Sequence, residues 1–347
     1  MDYQVIDIHN KSEREEVIKF LQTLNLKYEN NIEYTLALLE DGKIVGTGSI
    51  SGKVLKCIAV DARKQGEGIA AKIVSRLVQE QFKKGRTKNF LFTSPDKVNQ
   101  FTGLGFQLLA LAEPSYALLE MGIDGINQYL QDLQKYQLIE NNQKIISAMV
   151  INANPFTLGH QYLVKTASME SDVVYLFVVR EDKSLFPFET RFSLIKQGCK
   201  GFDNVKVIDG GDYIISNATF PTYFSRESEN DIVTGQATLD ARIFIRYIVP
   251  TLKINRRYLG NEPYCGMTSI YNKVLKEILP SAGVKVKEIS RFEIEGKAVS
   301  ASLVRELIKK SKFTEIQKLV PSSTYRFLIS EEAKPIINKI IASDSRH

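Results

Sequence analysis

The sequence predicts an α/β protein in two parts. A small α+β domain is expected over residues 1–122, a connecting helix and linker over 123–143, and a Rossmann-like, doubly wound parallel sheet over 144–347. Three observations carry this. The chain has 347 residues, which suits two cores better than one. In its second half, strand-length apolar runs alternate with helix-period segments, the pattern of crossover-connected parallel strands. Ile145 to Ile151 is almost wholly apolar, as a strand buried on both faces should be, and leads at once into a turn and a helix.

In chain order, Glu13 to Leu24 reads as an amphipathic helix. Tyr34 to Glu40 and Lys43 to Ser51 read as strands joined by the hairpin turn Asp41-Gly42. Leu55 to Val60 is a further strand, and Ile69 to Lys83 a helix. Between them lies Arg63-Lys64-Gln65-Gly66-Glu67-Gly68. Glycines between a strand and a helix bare backbone N–H groups to an anion, here a pyrophosphate; a glycine-capped turn is the plainer alternative. Ile123 to Leu138 carries apolar residues at helical spacing, and the polar run Glu140 to Gln143 is the linker.

The second part opens with the strand at Ile145, followed by the turn Asn152-Ala153-Asn154-Pro155-Phe156-Thr157-Leu158-Gly159 and a helix from His160. Strand, tight loop and helix together aim free N–H groups at whatever sits above the strand end. Val173 to Val179, Val205 to Ile208, a strand ending at Tyr258-Leu259-Gly260, and Val284 to Ile289 complete the sheet. The charged loop Arg180 to Ser184, with Asp182 as a candidate metal ligand, is expected to face the crevice at the strand ends. Gly210 to Phe224 reads as a substrate-covering loop or a packed Ω-loop, and the tail after Arg305 as helical with a basic, solvated face.

Thr157-Leu158-Gly159-His160 supplies a hydroxyl, a glycine that permits close backbone approach, and an imidazole in the first helical turn. It resembles the H/T-x-G-H signature of the nucleotidyltransferase superfamily; a capped helix with a surface His160 is the plainer alternative. Downstream, Ser300, Ser302 and Arg305 open another helix, two hydroxyls beside a planar fork suited to a polyphosphate. That stretch resembles the ISxxxxR-type motif of the same superfamily. The loop with Arg63, Gly66 and Gly68 resembles the Q/RxxGxG/A motif of GNAT acyltransferases, which holds the pyrophosphate of coenzyme A. Asn99 to Phe106 resembles the aromatic and Gly-Phe element before that fold's last strands.

A GNAT-like module ahead of a T-x-G-H domain, with NANPFTLGH, SNATFPTYF and GNEPYCGMTSIYN, resembles the citrate (pro-3S)-lyase ligase family across essentially the full length. The resemblance implies an enzyme that activates acetate with ATP and Mg²⁺ and acetylates the thiol of the coenzyme A-like prosthetic group on the citrate lyase acyl carrier subunit. It implies His160 and Thr157 as catalytic residues. Asn154, Phe156, Gly159, Ser300, Ser302 and Arg305 would bind nucleotide, and Arg63, Gly66 and Gly68 the coenzyme A-like arm. An adenylyltransferase of cofactor biosynthesis and a non-catalytic nucleotide or coenzyme A sensor are the alternatives.

Composition narrows the class. Basic residues exceed acidic ones by 46 to 40, and 30 against 25 of these lie beyond residue 120. The excess is dispersed and lacks aromatic interleaving, so no nucleic-acid face is expected. Cys57, Cys199 and Cys265 have no metal spacing, and only three histidines exist, so neither a zinc site nor a disulfide framework is expected; a reducing cytoplasm fits. No apolar stretch reaches about 18 residues, so no membrane span is expected.

Overall fold

The computed structural model describes residues 1–137, 144–180, 184–214, 228–261 and 266–343. They form two compact units, one of Met1–Tyr129 with Thr219–Arg242, the other of Leu130–Ala218 with Ile243–His347. Residues 228–242 therefore group with the first unit, whereas the sequence reading assigns them to the second domain.

In the first unit, β1 (Asp2–Ile6), β2 (Tyr34–Glu40), β3 (Lys43–Ser51), β4 (Val54–Val60), β5 (Lys88–Thr93), β6 (Gln107–Ala112) and β7 (Tyr116–Gly122) form one sheet in the order β1-β2-β3-β4-β5-β7-β6. The β2–β3 turn has positive φ at both Asp41 (49°) and Gly42 (74°), the backbone whose twist matches a hairpin. Asn10 caps α1 (Lys11–Thr23) by accepting from the N–H groups of Ser12 and Glu13. α2 (Ile69–Lys83) lies on β3, where a Cβ at Gly48 would stand 2.5 Å from Ile73 Cγ2. Glycine there lets the helix close on the sheet, and Leu36, Leu38, Ile50, Leu55, Ile73, Leu77 and Leu91 form the buried core between them. α3 (Val98–Thr102) precedes β6, and α4 (Ile126–Gln134) occupies the middle of the expected connecting helix.

β4 and β5 are the one parallel pair among these strands, and their ladder holds only at Val54–Phe90 and Leu55–Leu91. Both strands continue beyond it, and a cavity of about 870 Å³ occupies the opening. This splayed mixed sheet is the α+β half of the expected fold.

In the second unit, β8 (Ile146–Ile151), β9 (Val173–Val178), β10 (Val205–Asp209), β11 (Arg256–Gly260) and β12 (Lys285–Ile289) form a parallel sheet in the order β10-β9-β8-β11-β12. All six residues of β9 are buried, which explains its unbroken apolar run. α5 (Leu158–Met169) and α6 (Phe188–Gly198) connect β8, β9 and β10. The chain moves outward from β8 to β10, then resumes on the other side at β11. The order thus reverses between β8 and β11, and a doubly wound sheet binds its ligands at that switch point, outside the carboxyl ends of the strands. α7 (Glu229–Ile243) belongs to the first unit except for its last residue; in the second, α8 (Val249–Leu252) and α9 (Gly266–Ile278) flank β11 in the chain, and the short strands β13 (Glu293–Ile294) and β14 (Lys297–Ala298) follow β12.

The tail departs from expectation. α10 (Ala301–Lys309), α11 (Phe313–Gln317), α12 (Ser322–Leu328) and α13 (Lys334–Ala342) bury Val304, Leu307, Ile308, Ile316, Val320, Leu328, Ile336 and Ile340 around Phe186. Its lysines are exposed, whereas apolar residues at helical spacing turn inward and build a satellite core.

Candidate active site

β8 ends at Ile151, and the loop that follows is fixed from beneath by two buried guanidinium groups. Arg191 of α6 is wholly buried and donates from Nη1 to the carbonyls of Asn152 and Val179, each at 2.8 Å, and from Nε to that of Phe186 at 3.0 Å. It therefore ties the carboxyl ends of β8 and β9 together. Arg305 of α10, 6% exposed, donates from Nη1 to the Asn154 carbonyl and from Nη2 to Ser302 Oγ at 3.4 Å. Asn154 in turn accepts the Phe186 N–H on its side-chain oxygen at 3.0 Å. The Asn154–Pro155 peptide is cis.

Thr157 is the N-cap of α5 and His160 its third residue. The Thr157 N–H donates to His160 Nδ1 at 3.1 Å, Thr157 Oγ1 lies 2.9 Å from the same nitrogen, and the His160 N–H donates back to Oγ1 at 3.4 Å. This is a capping box in which an imidazole takes the place of the usual carboxylate or amide. A backbone N–H can only donate, so Nδ1 presents its lone pair and the ring proton sits on Nε2. The ring stacks on the fully buried Phe156, with centroids 5.8 Å apart and planes 18° apart. Although His160 keeps some solvent-facing surface, burial and then the charge of Arg291 push its pKa down to about 4. At neutral pH it is an uncharged Nε2–H donor at the start of a helix beside the switch point.

The two sequence motifs meet here. A Cβ on Gly159 would stand 2.6 Å from the Val299 carbonyl oxygen, one residue before the second motif. Ser300 caps α10 by accepting the Leu303 N–H at 3.1 Å, and Ser302 is exposed in the first turn. Thr157, Gly159, His160, Asn154, Phe156, Ser300, Ser302 and Arg305 are therefore one assembly. In this structure Gly159 makes room for backbone rather than for a ligand, Phe156 packs beneath the imidazole, and the Arg305 fork is turned into the protein. At the rim, Arg180 holds both oxygens of Asp209 and lies over the Phe188 ring, 4.4 Å from its centroid.

Two functional candidates escaped the sequence reading. Arg191 and Arg291 sit in segments that read as ordinary helix and loop, and no local pattern marks them. Asp182, residues 215–224 and Glu262 to Tyr264 lie outside the described residues. Among the described residues, no group of three or more His, Cys, Asp or Glu side chains gathers that could hold a metal ion, and no helix is long and apolar enough to cross a membrane.

In the first unit, Gly66 (φ 90°) and Gly68 (φ 73°, the N-cap of α2) line the cavity beside β4 together with Lys64, Thr93, Ser94 and Lys97. Arg63 does not line it: its exposed side chain is paired with Asp61 at 2.7 Å. Lys64 stands on the cavity wall in its stead and is bound to Glu40 at 2.6 Å.

Residues 146–328 match the family model of the citrate lyase ligase C-terminal domain. The citrate (pro-3S)-lyase ligase of Klebsiella pneumoniae is 38% identical over 326 residues, covering 93% of this chain and 94% of that protein. The chain belongs to the citrate lyase ligase family. The ligase of the same name from Escherichia coli K12 is 32% identical over 318 residues, covering 90% of this chain and 89% of its own. Among solved structures, a GNAT-family acetyltransferase from Staphylococcus aureus Mu50 aligns with 35% of this chain and 99% of its own at 16% identity and a TM-score of 0.30. Membership makes the protein an enzyme of the acid–thiol ligase class.

Proposed function

We propose that the protein activates acetate with ATP and acetylates the thiol of the coenzyme A-like prosthetic group on the citrate lyase acyl carrier subunit, releasing AMP and pyrophosphate. The observation that carries the chemistry is the neutral His160 with its proton on Nε2. An acetate oxygen attacks the α-phosphorus as the bond to the bridging oxygen of the leaving pyrophosphate breaks. A carboxylate is already a nucleophile near pH 7, so the site has to align the groups and stabilise charge rather than remove a proton. The His160 Nε2–H supplies a donor for the phosphoryl oxygens at the positive end of the α5 dipole, with Thr157 fixing the ring. The thiol then attacks the acetyl carbon, its proton is lost, and AMP leaves.

Mg²⁺ would ride on phosphate oxygens, as that ion keeps most of its waters and takes few protein ligands. The cavity beside β4 suits the prosthetic arm, with the N–H groups around Gly66 and Gly68 and the Lys64 and Lys97 ammonium groups at hand for its phosphates. Such free-thiol chemistry belongs in a reducing cytoplasm.

The test is acetate-dependent exchange of pyrophosphate into ATP without carrier. The wild type should exchange, and His160→Ala should lose roughly 10²–10³-fold, the worth of one preorganised donor. Exchange that ignores acetate, or a folded His160→Ala protein with undiminished turnover, would refute the reading.

A further inference from the structure

Arg291 is absorbed by none of the motifs, yet three tethers fix it beside His160. It lies two residues beyond the carboxyl end of β12, and its Nε donates to the Asn261 carbonyl at 3.2 Å, directly past the end of β11. The next residue, Phe292, stacks on Tyr162 of α5, with ring centroids 5.2 Å apart and planes 28° apart. The Phe292 carbonyl accepts the Val299 N–H at 2.9 Å, and the Val299 carbonyl lies against Gly159. Segment 291–299 thus touches α5 on both sides of His160, at Gly159 and at Tyr162. Arg291 is half-buried, and its guanidinium is held past the end of β11, one of the two strands between which the sheet order reverses.

We propose that Arg291 is a second catalytic residue, a guanidinium that pairs with His160 on the phosphoryl oxygens of the bound nucleotide. The proposal rests on the reading that the nucleotide phosphates lie over His160. The two donors are complementary. His160 contributes one directional N–H without charge, whereas Arg291 contributes charge and a planar fork suited to phosphate oxygens, held in orientation by its bond to Asn261. Charge that builds on the α-phosphoryl oxygens in the transition state would be met by groups already in place, which is where electrostatic catalysis gains most. Burial is the larger cause that keeps His160 unprotonated, and the same proximity adds to it. Among the described residues, Arg291 is the charged group whose field reaches that ring, and it opposes a second positive charge there. One cation beside one neutral donor is thereby maintained over a wide pH range.

The test compares full-length Arg291→Ala, Arg291→Lys and His160→Ala proteins by acetate-dependent pyrophosphate–ATP exchange at several pH values, with thermal melting to verify folding. Arg291→Ala should lose about 10²–10³-fold at neutral pH. Its residual activity should fall away on acidification somewhat above the value of about 4 set in the parent, a partial shift because the burial of the ring remains. Arg291→Lys should recover part of the rate and keep the low acid limb, since it restores charge without the fork. Undiminished exchange by Arg291→Ala while His160→Ala is inactive would overturn the proposal and leave the nucleotide site standing. A folded Arg291→Ala protein that loses rate with an unmoved acid limb and no benefit from lysine would make Arg291 structural only, and would also overturn it. Full activity in both alanine variants would remove the nucleotide site, and the proposal with it.

Discussion

Gly159→Ala probes the join between the two motifs with one carbon atom. The added Cβ would sit 2.6 Å from the Val299 oxygen, whereas ordinary contact begins at 3.4 Å, so α5 and segment 291–299 must separate by 3.4 − 2.6 = 0.8 Å. Neither side yields easily. Val299 is hydrogen-bonded to Phe292, and α5 is anchored through the Leu158 N–H to the Leu319 carbonyl at 2.9 Å. Overpacking of this kind costs about 1–3 kcal/mol, and the better helix propensity of alanine returns about 0.5–1 kcal/mol. A net loss of up to about 2.5 kcal/mol is expected in denaturant titration. Activity should suffer more. A displacement approaching 1 Å at a catalytic group can cost about 10²-fold, so pyrophosphate exchange should fall far beyond the change in folded fraction. Gly201→Ala is the control, since its Cβ would meet nothing within 4 Å, and it should behave as the parent. A Gly159→Ala protein with parental stability and parental exchange would refute the claim that this contact sets the site.

Arg191→Met should destabilise the second unit by at least about 3 kcal/mol, because the carbonyls of Asn152, Val179 and Phe186 lose a buried donor at about 1–3 kcal/mol each; denaturant titration measures it. For His160, the ordinary pKa of 6.5 applies unfolded and about 4 folded, so between these values the unfolded chain binds more protons and stability falls as the pH drops. The loss should approach about 3 kcal/mol at pH 4, and in His160→Gln that part of the pH dependence should vanish. Gly68→Ala places a side chain at φ 73°, costing roughly 1–2 kcal/mol of local strain, and should weaken binding of coenzyme A as a probe while leaving carrier-free exchange intact; equal losses in both assays would refute separate sites.

Elements whose burial leaves a periodic trace were legible in the sequence. The β2–β3 hairpin, α2 and β8 stand within a residue of their expected places. β1 was not read because four of its five residues are exposed and its apolar content lacks a pattern. β5 was missed as a short run behind a basic turn, although five of its six residues are buried. Arg191 is the sharper case. In FETRFSLIKQ an arginine reads as the solvent face of a helix; only the convergence of three carbonyls from two strand ends and a loop makes it a core residue. Arg63 went the other way, since Asp61 two residues earlier competes for it locally.

The signature residues divide by what holds them. Asn154 and Arg305 spend groups on one another, Ser300 and Thr157 cap their helices, Gly159 clears space for Val299, and Phe156 fills the floor. His160 is different: its Nδ1 is consumed by Thr157, and that consumption is what places the proton on Nε2. The motif works less as a row of ligand contacts than as a frame that fixes one tautomer at one helix terminus. A frame residue should therefore lose stability and rate together when replaced, because the loop it anchors moves. Loss of the His160 donor should show mainly in rate, since the cap it supports retains the Thr157 hydroxyl. The ratio of the two effects, residue by residue, separates frame from chemistry.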